Sequence, residues 1–161
     1  MENLWAPWRA VYITENKDEA ECIFCAKLVD TRDAENHLLV RRELCFVLLN
    51  IYPYNNGHLL VAPNRHVADI TELTQGESLA LFELVQEMVD LIRRTMRPHG
   101  FNIGINLGRV AGAGFPGHFH IHIVPRWDGD TSFMPVIGDV KVISESLDRT
   151  YAKLKEGLES K

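Results

Sequence analysis

The stretch Gly117-His118-Phe119-His120-Ile121-His122-Ile123-Val124-Pro125 decides how this chain is read. Histidine stands at every second position. Alternate residues of a β-strand project to the same face. A strand here carries His118, His120 and His122 in a row on one face and Phe119, Ile121 and Ile123 on the other. A strand that only has to pack does not need three aligned imidazoles. One metal held by all three is a strained arrangement. Same-face neighbours are about 6.6 Å apart, so the outer pair spans about 13 Å, while metal–nitrogen bonds are only about 2.0–2.1 Å long. Nucleophilic catalysis is the other reading. Neutral imidazole is available near pH 7, its ordinary pKa being about 6.5, and it needs a partner that fixes its tautomer. His120 has an imidazole on each side to serve.

The rest of the sequence is that of a globular protein. The chain has 161 residues, of which 46% are hydrophobic and 24% charged. That length suits one domain with a substantial core. A net charge of −5 supplies no general basic field, so bulk nucleic-acid binding is not expected. No apolar run reaches the roughly 18 residues of a membrane span. The opening Met1-Glu2-Asn3-Leu4-Trp5 has no signal-peptide pattern. Three cysteines fit a reducing cytoplasm better than a disulfide framework.

A pass along the chain predicts an α+β fold: an antiparallel sheet of about five strands, one long helix and a C-terminal helix. Leu38–Arg42, Cys45–Asn50 and His58–Ala62 read as strands, with Pro53 and Asn55-Asn56-Gly57 marking a turn. Thr74-x-x-Glu77 is a capping box. Phe82, Val85, Met88, Val89, Ile92 and Met96 then recur at helical spacing until Pro98 and Gly100. That stripe predicts core packing. Phe101–Asn106 reads as a further strand. The small loop Ala111-Gly112-Ala113-Gly114 leads into the histidine segment, and Leu147, Tyr151, Leu154 and Leu158 mark a closing helix. Residues 1–13, with Trp5 and Trp8, read as an aromatic arm that another surface must cover.

Cys22-Ile23-Phe24-Cys25 adds a second chemical signal. Two thiolates at this spacing suit one edge of a tetrahedral zinc site. The other two ligands must come from elsewhere: His37, His58, His66, His99 and the three aligned histidines are all candidates. A redox pair is expected at the start of a helix that follows a strand, and no strand is predicted before Cys22. Cys45 lies on a predicted strand and reads as a buried apolar residue.

These features together resemble the histidine triad (HIT) family. The resemblance rests on His-x-His-x-His followed by apolar residues, on the Cys-x-x-Cys, on Phe46-Val47-Leu48-Leu49-Asn50, and on Asn56-Gly57-His58-Leu59-Leu60-Val61-Ala62-Pro63 followed by His66. It covers residues 20 to 127. It implies a HIT-like fold in one domain, 1–161, with an N-terminal arm (1–20) and a C-terminal extension (128–161). By resemblance, His120 attacks the α-phosphorus of a nucleotide to give a covalent nucleotidyl-histidine, His122 orients it, and His118 completes the catalytic set. Zinc-bearing relatives, galactose-1-phosphate uridylyltransferase among them, imply a structural Zn²⁺ on Cys22, Cys25, His66 and His118. Asn50 matches a ribose contact. Phe46 and Leu48 line the base pocket, and Asn106, Ala113, Gly114 and Trp127 join the substrate-binding set. Backbone N–H groups of the Ala111–Gly114 loop are expected to face phosphate oxygens. No Gly-Lys-Ser/Thr is present, so a P-loop is excluded.

One departure sharpens the expectation. Many triad hydrolases carry Gln four residues before the first histidine, and this chain has Gly114 there. Leu4-Trp5-x-Pro7-Trp8-Arg9 and the run from His118 through Arg126-Trp127-x-Gly129-Asp130-x-x-Phe133-Met134-Pro135 look more like the diadenosine tetraphosphate phosphorylase branch. The implied reaction is phosphorolysis of a dinucleoside polyphosphate to ADP and ATP, with inorganic phosphate as second acceptor and Arg126 or Arg109 as its counter-charge. A hydrolase of dinucleoside polyphosphates or nucleoside phosphoramidates is the alternative. A non-catalytic nucleotide-binding module is the third reading, and it leaves His120 without a purpose. Relatives pair through the long helix and neighbouring strand, which implies a homodimer.

Overall fold

The computed structural model describes residues 22–131 and 142–160. The expectations for the aromatic arm and for Phe133-Met134-Pro135 lie outside the described residues. Five strands form one sheet: β1 (Leu38–Arg41), β2 (Cys45–Leu49), β3 (Leu59–Pro63), β4 (Gly100–Ile105) and β5 (Ile121–Arg126). Their order is β1-β2-β3-β5-β4, and every neighbouring pair is antiparallel. Among the described residues three α-helices accompany them: α1 (Ile23–Val29), α2 (Gln75–Met96) and α3 (Leu147–Glu159). The predicted α+β sheet, long helix and closing helix are all present. Among the described residues no helix is long and apolar enough to cross a membrane.

Strand alternation divides the core between the two faces of the sheet. Cys45, Val47 and Leu49 of β2, Leu59 and Val61 of β3, and Phe119, Ile121 and Ile123 pack with Leu81, Leu84, Val85, Met88, Leu91 and Ile92 of α2 and Leu154 of α3. The intervening residues point the other way. Phe46 and Leu48 of β2 and Leu60 and Ala62 of β3 join Leu38 and Phe24 of α1 in a second, smaller cluster. β2 and β3 are buried on both faces, which explains their unbroken apolar sequences.

The long helix begins at the predicted cap. Thr74 accepts from the Glu77 N–H, and the Glu77 carboxylate accepts from the Thr74 N–H at 2.8 Å. Arg65 then grips the same carboxylate at 2.8 and 2.9 Å, a partner that the capping pattern did not reveal. The buried stripe differs from the predicted one. Phe82 is 59% exposed, while Leu81 and Leu84 are buried. Phe82 stands about 100° round the helix from Leu81, outside the buried arc, so its apolar spacing placed it on the wrong flank. The helix ends with Arg97 in the left-handed conformation, just before Pro98.

Two glycines allow close approaches. Gly57 has φ +73°, and a Cβ there would lie 2.8 Å from Met96 Sδ. In α3, a Cβ on Gly157 would collide with Thr95 Cγ2 and lie 2.9 Å from Leu91 Cδ1, so glycine lets α3 press against α2. α1 was not predicted. Seven residues span under two turns, too few for a helical period to show.

The Arg65 guanidinium, together with the Thr74 N–H, holds the Glu77 carboxyl down at about 2 against an ordinary 4.5. A depressed carboxylate pKa adds stability above the unfolded value and loses it as pH falls through the folded one. Glu77→Gln is therefore expected to lower the melting temperature most above pH 4.5, with the gap from the natural protein narrowing toward pH 2. Melting curves of both proteins across that window test this, and a constant gap contradicts it.

Candidate active site and metal centre

The ladder of β5 begins at Ile121, so only His122 of the three histidines lies within the strand. His118 and His120 sit in the extended segment leading into it. The predicted alternation nevertheless holds. Phe119, Ile121 and Ile123 enter the helix-side core, and His118, His120 and His122 are buried on the opposite side at 1%, 6% and 8% exposure. The Phe119 N–H donates to the Val67 carbonyl at 2.6 Å, pinning the segment before pairing starts.

Main-chain groups assign each tautomer. A carbonyl can only accept, so the His120 Nδ1 that lies 2.8 Å from the His118 carbonyl carries a proton. Its Nε2 is left with a lone pair. His118 Nε2 lies 2.9 Å from the Pro63 carbonyl, so that nitrogen is protonated and Nδ1 holds the lone pair. The proton on His120 Nδ1 is thus held by a backbone oxygen, where the sequence reading gave the orienting task to the imidazole of His122.

His122 belongs to a second chain of contacts. Its Nδ1 lies 2.9 Å from Nε2 of His58, a residue of the β2–β3 turn that is fully buried. His58 Nδ1 accepts from the Tyr54 N–H at 3.1 Å and from the Asn50 amide at 3.3 Å. Its proton therefore sits on Nε2 and is donated to His122. The Tyr54 ring stacks on His122 at 5.7 Å and contacts His58 at 4.6 Å. Sequence reasoning placed His58 at the start of a pocket strand and among possible metal ligands, with no role toward His122. No local pattern marks it, because the register that pairs Leu60 with His122 exists only in the fold.

Burial keeps these rings neutral. It is the main cause pushing His58 down to about 3 and His118 down to about 4, from an ordinary 6.5. His120 is lowered by the same desolvation, against the opposing pull of the His118 carbonyl. A buried neutral imidazole with one nitrogen unprotonated is the form in which histidine acts as a nucleophile.

The other expected residues fall around this centre in different ways. Asn50 closes a turn, its Oδ1 accepting from the Tyr52 N–H at 2.9 Å, while its amide reaches His58. Leu48 is buried beside Phe46 in the smaller cluster. Asn106 donates to the Gly112 carbonyl at 3.4 Å. Within the small loop, the Gly112 N–H donates to Arg109 and the Ala113 N–H to Gly108, so these two amides are engaged inside the loop that was expected to offer them to phosphate. Gly114 and Trp127 are half-buried. Arg126 is clamped by Asp130 at 2.6 and 2.9 Å and by Asn102 at 2.7 Å. That clamp argues against Arg126 as a loose counter-charge.

Cys22, Cys25, His66 and His118 converge, their ligand atoms all within 4.8 Å of one another. Cys22 Sγ lies 3.3 Å from His118 Nδ1, and Cys25 Sγ lies 3.4 Å from His66 Nδ1 and 3.7 Å from His118 Nδ1. The edge between sulfur and nitrogen in a tetrahedral zinc site is about 3.6 Å. The Pro63 carbonyl turns the His118 lone pair toward the thiols, as outer partners of metal-bound histidines do. The donor set and its spacing fit Zn²⁺. Cys22 caps α1 and Cys25 lies in its first turn. Of the other candidates, His37 pairs with Asp148, His58 bonds His122 and His99 contacts Asp128.

Comparison with known proteins agrees with this geometry. The HIT domain model matches residues 31–129. An AP-4-A phosphorylase of Mycobacterium tuberculosis is 38% identical over 157 residues, covering 93% of this chain and 80% of that protein. The asymmetrical bis(5'-nucleosyl)-tetraphosphatase of Schizosaccharomyces pombe is 35% identical over 97 residues, covering 60% of this chain and 53% of that protein. A zinc-bound histidine triad family protein from Mycobacterium smegmatis superposes with a TM-score of 0.70 at 27% identity, over 87% of this chain and 94% of that one. The triad, the sheet that carries it and the matched span agree: the chain belongs to the HIT domain family.

Proposed function

We propose that the protein transfers a nucleotidyl group through His120 and that inorganic phosphate is the second acceptor, so that a dinucleoside polyphosphate is cleaved by phosphorolysis. The observation that carries the chemistry is the fixed tautomer of His120, with Nδ1 bonded to the His118 carbonyl at 2.8 Å. The Nε2 lone pair forms a bond to the α-phosphorus of diadenosine tetraphosphate. The phosphorus–oxygen bond to the polyphosphate breaks, and ATP leaves with the electron pair. The histidine ring carries the positive charge, its Nδ1–H still held by the carbonyl. A phosphate oxygen then attacks the same phosphorus, the nitrogen–phosphorus bond breaks, ADP forms, and the phosphate proton passes to solvent.

His122, whose Nδ1 accepts a hydrogen bond from His58, has its own proton on Nε2 and is the donor on the leaving side, the orienting task passing to the His118 carbonyl. Asn50 and Leu48 are assigned to the nucleoside, and Asn106, Gly114, Trp127 and the Ala113 side chain, its amide being held by Gly108, to the wall around the phosphates and base. Gly114, where triad hydrolases carry Gln, leaves space for phosphate. The 38% identity to a protein named AP-4-A phosphorylase supports the same choice. The similarity to a tetraphosphatase keeps hydrolysis as the second reading.

Structural Zn²⁺ on Cys22, Cys25, His66 and His118 belongs to this reading. When bound, it ties α1 to the segment that carries His120. A homodimer is also part of it. Leu79 and Phe82 on α2 and Ile103 on the edge strand β4 are 61%, 59% and 49% exposed, apolar surface that a second copy can cover. The three unpaired thiols suit a cytoplasmic setting.

Incubation with diadenosine tetraphosphate separates the acceptors: ADP and ATP in equal amounts only when phosphate is present are expected, whereas AMP with ATP in phosphate-free buffer points to hydrolysis. His120→Asn should lower turnover by at least about 10⁴-fold while nucleotide affinity stays within about tenfold. Mass spectrometry of the acid-quenched natural protein should show an adduct one AMP heavier, and active protein without it argues for direct attack by the acceptor. Metal analysis should find one zinc per chain. Its removal by a chelator is expected to lower the melting temperature, with Cys22→Ser reproducing the loss. A metal-free protein of unchanged stability contradicts the site.

A further inference from the structure

Phe24 lies between the two metal-site thiols in sequence, yet its side chain faces the triad. It is 2% exposed. Its ring stacks on His118 at 5.0 Å with a 28° tilt and on His120 at 4.9 Å with a 29° tilt. The benzene ring therefore contacts both the imidazole assigned to the metal and the one assigned to phosphorus. Phe46 and Phe115 contact Phe24 at 6.4 and 6.0 Å with tilts of 64° and 58°, which fixes its own rotation. Cys22 and Cys25 flank it at the start of α1, so the turn that holds the thiols also sets where the ring lies.

We propose that Phe24 is a positioning residue for His120, through which the Cys22–Cys25 turn sets the plane of the imidazole and hence the direction of its Nε2 lone pair. The inference rests on the reading of His120 as nucleophile. The hydrogen bond to the His118 carbonyl decides which nitrogen keeps the proton, but a single contact restrains the swing of the ring about its side-chain bonds only loosely. A flat surface stacked on the ring removes this remaining freedom. The negative face of the benzene ring also favours the positive charge that the imidazole acquires when Nε2 bonds phosphorus. A branched aliphatic side chain of similar bulk fills the space without providing either effect.

The experiment compares Phe24→Leu with Leu81→Ala, which weakens the helix-side core away from the triad. Both are studied as zinc-loaded full-length protein, and Phe24→Met replaces the leucine variant if that one does not fold. Histidine ring spectra by ¹H–¹⁵N NMR, recorded without substrate, report ring-current shifts and tautomer. The natural protein should show His118 and His120 ring protons displaced upfield, with His120 protonated on Nδ1. Phe24→Leu is expected to abolish the displacement and broaden the His120 ring signals, with Nδ1 still protonated. It should lower kcat for diadenosine tetraphosphate by about tenfold or more and leave KM within about twofold. Leu81→Ala, at a comparable loss of melting temperature, should leave the His120 spectrum and kcat in place. Unmoved His120 shifts in Phe24→Leu, or a kcat loss no larger than that of Leu81→Ala, overturns the proposal. The spectra contain no nucleotide, so they judge the positioning even where the adduct experiment rejects nucleotidyl transfer.

Discussion

The whole site depends on main-chain carbonyls that accept from imidazoles. The His118 carbonyl takes the Nδ1 proton of His120, and the Pro63 carbonyl takes the Nε2 proton of His118. A buried neutral imidazole has one donor and one acceptor, and burying either unpaired is unfavourable. Once a carbonyl claims the donor, the lone pair is confined to the other nitrogen. Histidines two residues apart thereby acquire opposite tautomers: His118 turns the Nδ1 lone pair to the thiols, and His120 keeps its lone pair on Nε2. No charged side chain is needed to make the assignment, which suits an environment where desolvation already disfavours imidazolium.

The sheet makes this arrangement affordable in terms of packing. Phe119, Ile121 and Ile123 anchor the segment against α2 and α3, so the imidazoles on the opposite side do not have to supply the hydrophobic drive. They are covered instead by α1, whose Phe24 and flanking cysteines bring an aromatic face and a metal-binding turn to the same place. The site is thus closed by a short helix that holds itself there through side chains. Arg41 reaches the carbonyls of Leu28 and Asp30 at its far end, which tethers the helix to β1 while the thiols face the triad.

Much of this was readable in the residues themselves. Period-two histidines with an apolar back predict a strand with an imidazole face, and that division is observed. Thr74 and Glu77 marked the start of the long helix because a capping box is a local pattern. What could not be read depends on distance in sequence. Arg65 completes the cap from 12 residues away. His58 meets His122 across 64 residues, and nothing in Gly57-His58-Leu59 announces a proton donor. Phe82 misled because an apolar spacing identifies a helix more firmly than it identifies which flank is buried. α1 escaped notice because a two-turn helix leaves almost no periodic trace.

Sequence alone determined which atoms are available: three imidazoles on one face, two thiols one turn apart, a sheet and a capped helix. These follow from alternation, spacing and capping, all of which act over a few residues. Tertiary structure alone decided what each nitrogen does. The groups that select the tautomers are the Pro63 and His118 carbonyls, which accept, and the Tyr54 N–H and Asn50 amide, which donate to His58, and an imidazole acquires its role only when folding brings one of them to a particular nitrogen.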